Sequence, residues 1–122
     1  MAYKIEFIES SDLVRVEFSG DATLDDRISV IHKICLDFCN ATIAKTKILI
    51  DVRLITKLMT ENEQKIVGTY VASREELKKA KVAIIATPEQ LIHQTAIDTS
   101  AQLGHRIQLF STENQALIWL NS

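Results

Sequence analysis

The sequence predicts an α/β domain in the order ββαβαβαβα, with a five-stranded mixed sheet flanked by four helices and residues 1–122 forming one domain. Three observations predict it. Two stretches near the start alternate apolar and polar residues around a polar joint. Three further apolar segments follow, of which 47–52 and 82–86 are nearly continuous, as strands covered on both faces would be. A helix-capping pattern stands after each of those runs. Alternating βα units imply parallel strands joined by right-handed crossovers, so strands three to five are expected to run parallel.

Residues 3–8 place Tyr3, Ile5 and Phe7 on one face, and residues 13–18 place Val14, Val16 and Phe18 opposite Arg15 and Glu17. The joint Glu9-Ser10-Ser11-Asp12 makes these two an antiparallel hairpin. Gly20 breaks the strand pattern. Thr23 with Asp26 three residues later is a capping box, and Leu24, Ile28, Ile31, Cys35 and Phe38 form the apolar stripe of the first helix, ending near Asn40. Residues 47–52 are the third strand. Thr60-Glu61-Asn62-Glu63 is a second capping box, opening a helix that carries Ile66, Val67, Tyr70, Val71 and Leu77. Residues 82–86 are the fourth strand. Thr87-Pro88-Glu89-Gln90 then supplies a cap, a proline at the first helical position and a glutamine at the third. That helix carries Leu91, Ala96 and Leu103 to Gly104, a left-handed stop. Ile107, Leu109 and Phe110 belong to the last strand, and Ser111 or Thr112 caps a short helix with Ala116, Leu117, Trp119 and Leu120. Gly68 inside the second helix costs about 1 kcal/mol against alanine, which points to close packing at that position.

Composition is that of an ordinary globular chain: 47% hydrophobic and 25% charged, with 14 basic and 16 acidic side chains for a net charge of −2. Nucleic-acid binders show a basic excess or a basic stripe, because neutralising phosphates drives that binding. The densest basic group here, Lys78, Lys79 and Lys81 after Glu75 and Glu76, reads as a solvated helix end. No nucleic-acid partner is expected. The first residues lack an apolar signal region, and no apolar run approaches the ~20 residues that span a bilayer. A cytoplasmic location without membrane insertion is the expectation.

The chain has no GxGxxG, GxxxxGK[ST], GxSxG or HExxH motif, and its three glycines are dispersed, so a glycine-rich nucleotide loop is not expected. Cys35 and Cys39 lie four apart in one helical pattern, neither a CxxC pair nor part of a zinc spacing, and read as buried, reduced packing residues. His32, His93 and His105 are scattered, whereas a metal site needs convergence. No catalytic residue, metal or cofactor is expected. Ligands of open α/β sheets bind outside the carboxyl ends of the strands. That edge gathers Asp51, Arg53, Thr60, Thr87 and Ser111. The hydroxyls there are explained by helix capping at about 1 kcal/mol each; the helix N-termini could also hold an anion.

The element order and lengths, together with the closing Ala116-Leu117-Ile118-Trp119-Leu120, resemble the STAS domain and a group of short bacterial STAS-like proteins. The resemblance covers essentially the whole chain. In that family's antagonists of anti-sigma factors, the stretch between the third strand and the second helix reads Asp-x-Ser, a short loop, then Asp-Ser-Ser-Gly, the second serine of the pair being phosphorylated. Here Asp51 matches the first aspartate, Arg53 replaces the first serine and Met59 the second aspartate. Thr60 takes the first serine of the pair, Glu61 the acceptor position and Asn62 the glycine. A shift of one residue would instead put Thr60 on the acceptor.

The resemblance implies a non-enzymatic regulatory or protein-interaction module, without the usual phosphoserine switch and with an unidentified protein partner. Its partner- or anion-binding candidates are Asp51, Arg53, Thr56, Thr60, Glu61 and Thr87. The alternative it implies is a domain of CRAL-TRIO-like character that binds a small apolar molecule or lipid. A homodimer is compatible with either.

Overall fold

The computed structural model describes residues 3–8, 13–37, 47–56, 60–74, 80–87 and 106–122. Five strands form one sheet in sequential order: β1 (Tyr3–Ile8), β2 (Leu13–Gly20), β3 (Lys47–Ile55), β4 (Lys81–Ile85) and β5 (Arg106–Phe110). β1 pairs antiparallel with β2, as expected of a hairpin, and every later neighbour is parallel. Ile48 lies opposite Val82 and Val82 opposite Ile107, so the sheet is mixed and its last three strands run together. Three helices lie among the described residues: α1 (Leu24–Asp37), α2 (Glu61–Ser73) and α3 (Glu113–Leu120). The fourth expected helix, opening at Pro88, falls outside the described residues, as do Cys39, Phe38 and the histidines at 93 and 105.

Side-chain alternation sorts the core onto the two faces of the sheet. The larger cluster joins Val14, Val16, Phe18, Ile48, Val52, Ile55 and Val82 to Val30, Ile31 and Ile34 of α1 and Val71 of α2. The smaller cluster lies on the opposite face, where Leu13, Leu49, Ala83 and Ile85 meet Ala116 and Leu120 of α3. Phe110 and Trp119 stack in a tilted pair at 5.7 Å. Lys81 places its ammonium 5.2 Å from the Trp119 ring centre and donates to the Trp119 carbonyl. Lys81 therefore opens β4 and fastens α3, and is not part of the helix end read from the basic cluster.

Both expected capping boxes form. Thr23 N donates to Asp26 Oδ2 at 2.9 Å and Asp26 N to Thr23 Oγ1 at 3.1 Å. Thr60 N donates to Glu63 Oε1 at 3.0 Å and Glu63 N to Thr60 Oγ1 at 3.1 Å. Thr112, not Ser111, caps α3, accepting from Gln115 N.

Two helix stripes differ from expectation. Among the described side chains of α1 the buried ones are Arg27, Val30, Ile31 and Ile34, so Ile31 keeps its expected place while Leu24 and Ile28 are half-buried. The apolar stem of Arg27 makes this possible, since long basic side chains bury their methylenes as aliphatic ones do. In α2, Gln64, Gly68 and Val71 are buried and Ile66 is exposed.

Candidate functional site

β3 runs three residues further than its apolar run suggests, and the reason is a bulge. Glu17 pairs with Asp51 and Ser19 with Leu54, so one residue of β2 faces two of β3. On the face covered by α1 and α2 the inward series Ile48, Ile50, Val52, with Ile50 only half-buried, then steps by three to Ile55. An extra residue in one strand shifts every later side chain to the other face. Without it Leu54 would point into the larger cluster; with it Ile55 fills that place and Leu54 is 56% exposed. β2 follows β3 to this point. Gly20 ends it with φ +59°, and its carbonyl accepts from Thr56 N at 2.9 Å.

Asp51 sits just before the bulge on the face opposite α1 and α2, and it is only 3% exposed. A carboxylate so placed needs compensation. Arg53 provides most of it: its backbone N and its Nε both donate to Asp51 Oδ1 at 3.0 Å, and its Nη2 donates to Oδ2 at 2.8 Å. Arg15 on β2 donates to Oδ2 at 3.4 Å. Arg15 also reaches Glu113 Oε1 at 2.8 Å and Glu17 Oε2 at 3.4 Å. The result is a network of two guanidiniums and three carboxylates that ties β2, β3 and the first turn of α3 together.

The proton affinities follow from this geometry. Burial pushes the Asp51 carboxyl up, but the Arg53 hydrogen bonds and charge, with Arg15 behind them, carry it below the ordinary range. Arg53 is held more firmly protonated by its hydrogen bonds to Asp51, and Arg15 by its hydrogen bond to Glu113. With carboxylates outnumbering guanidiniums, the cluster offers no surplus positive charge to an anion. Its chemistry is that of a structural clamp.

The sequence candidates thus fall into two groups. Asp51 and Arg53 belong to the clamp. Thr56, Thr60 and Glu61 lie at the edge formed by the carboxyl ends of β2 and β3 and the start of α2. All three are exposed. Thr56 Oγ1 donates to Asp21 Oδ1 at 3.1 Å, which ties the turn after β3 to the turn after β2. Thr60 is engaged in its capping box, and Glu61 is the first residue of α2. Thr87 is half-buried just past β4, where Ala86 N still donates to the Phe110 carbonyl.

Sequence reasoning passed over Arg15, Glu17 and Glu113. Arg15 and Glu17 read as the wet face of a hairpin, and only their place on a strand with neighbours on both sides marks them as clamp members. It also passed over Arg27, which is 4% exposed beneath α1 with its guanidinium 5.7 Å from the Phe18 ring centre. Its Nε and Nη2 find no hydrogen-bond partner among the described residues. Burial lowers its proton affinity against the opposing pull of Glu63 and Asp26.

Among the described residues, no group of three histidine, cysteine or acidic side chains is placed to hold a metal ion, and no helix is long and apolar enough to cross a membrane. Compared with protein-family models and with curated proteins, the chain matches none.

Proposed function

We propose that the protein is a non-enzymatic, STAS-type interaction module whose partner surface is the edge formed by the end of β3 and the start of α2. One observation carries this reading: the bulge in β3 turns Leu54 outward at the strand end that leads through the exposed Thr56 to the exposed Thr60 and Glu61 at the start of α2. A bulge costs ladder hydrogen bonds, and bulges recur where a side chain must be re-aimed at a functional surface. An apolar residue set among hydroxyls and a carboxylate is the composition of a small protein-binding patch. Glu61 puts a permanent negative charge at a helix N-terminus, where the dipole favours it. A surface so charged is held in one binding state and needs no phosphate at this position.

The test is affinity capture from lysate of the natural host, with mass spectrometry, comparing the wild type with Leu54→Asp, Glu61→Ser and the control Ile118→Asp. Ile118 is 66% exposed on α3, outside the proposed patch. A protein retained by the wild type and the control but lost with Leu54→Asp supports the reading. Retention indifferent to Leu54 and Glu61, or phosphate found on Thr60 in host material, overturns it.

A further inference from the structure

We propose that the chain forms a two-fold dimer by antiparallel pairing of β1 with β1 of a second copy, centred on Ile5. The sequential strand order leaves β1 at an edge, paired with β2 on one side only among the described residues. An edge strand presents a row of backbone donors and acceptors that another strand can complete. Its side chains decide which strand fits. Lys4 and Glu6 are exposed on the face away from α1 and α2, and neither makes an ion pair among the described residues. Tyr3 and Ile5 face the other way and pack against the larger cluster, with the partly exposed Phe7 in step.

A two-fold axis through Ile5 sets Lys4 opposite Glu6 of the second copy and Glu6 opposite its Lys4, while Tyr3 meets Phe7. Directly opposed residues of unlike charge stabilise a strand pair, as do aromatic pairs. Neighbouring registers fail this test: centring on Lys4 or on Glu6 opposes like charges. An axis normal to the sheet keeps the α1- and α2-covered faces of both copies on one side and joins the two sheets into a single one. Such an isologous contact closes on itself and leaves β1 no free edge.

Sedimentation equilibrium of the full chain tests the proposal over roughly 1 µM to 1 mM, the range in which so small an interface associates. The wild type is expected to dimerise. Lys4→Glu and Glu6→Lys should each weaken the dimer by about tenfold or more, because two attractive pairs become repulsive. An equimolar mixture of these two variants should recover wild-type association as a heterodimer, and so should the double variant carrying both changes. Recovery on mixing cannot arise from a change in the stability of either fold. A wild type that stays monomeric throughout, single variants that dimerise as it does, or a mixture that fails to recover would each overturn the proposal.

Discussion

Asp51 and Arg53, two residues apart on one strand, form a two-pronged ion pair, with Arg53 Nε on Asp51 Oδ1 and Arg53 Nη2 on Oδ2. The Arg53 backbone N–H adds a third bond to the same carboxylate. Residues at i and i+2 share a face of a strand, but their side chains normally stand side by side and do not fork together. Here the fork forms at the register shift between β2 and β3, the same irregularity that exposes Leu54.

Replacing Asp51 with Asn should lower unfolding free energy by about 1–3 kcal/mol, since it strips a buried charge of its role while Arg15 and Arg53 still reach solvent. The pH dependence follows from the sign of the shift. The folded carboxyl titrates below the unfolded one, whose value is about 3.9, so its contribution is complete at neutral pH. That contribution is lost as pH falls through the lowered folded value. Urea denaturation across acidic pH should show wild type and Asp51→Asn separated by a constant margin at neutral pH that closes in acid. A margin independent of pH would refute the assignment.

Thr60→Ala should cost about 0.5–2 kcal/mol, because it removes the acceptor for Glu63 N in the α2 capping box. Thr60→Ser keeps the oxygen and should restore most of the loss. Chemical denaturation of the three proteins checks this, and an unchanged midpoint for Thr60→Ala would remove the capping role.

Gly20→Ala should destabilise by about 1–2 kcal/mol, the cost of a left-handed conformation for a residue with a Cβ. The cost is one of backbone, since an added Cβ would meet no atom of the described residues within 4 Å. Gly20→Asn should therefore be milder than Gly20→Ala, as asparagine tolerates this region. Melting temperatures of the pair settle the order.

Arg27→Met should leave stability unchanged or raise it by about 1 kcal/mol or more. The substitution keeps an unbranched apolar stem against Phe18 and removes a buried guanidinium with two nitrogens that have no partner among the described residues. A loss greater than about 2 kcal/mol would show that the charge is compensated in the folded protein.

Much of this architecture was legible in the residues themselves. Period-two alternation in 3–8 and 13–18 marks the hairpin, the apolar runs mark buried parallel strands, and Thr23, Thr60 and Thr112 mark helix starts, because each is a local rule read over a few positions. The clamp was half legible. Asp51 and Arg53 drew notice by their place at a strand end, but Arg15 and Glu113 are 98 residues apart in sequence, and only sheet order and the placement of α3 bring them within 2.8 Å. The bulge was hidden altogether. Nothing in Asp51-Val52-Arg53-Leu54-Ile55 says which of Leu54 and Ile55 turns inward, because both are apolar and either register buries one of them. Pairing with β2, which runs on to Gly20 opposite Ile55, decides it. Local chemistry, then, determined the elements and their ends; the choice of faces, and with it which residues meet, belonged to the tertiary structure, since side-chain direction in a strand depends on register with a neighbour that the strand's own sequence does not specify.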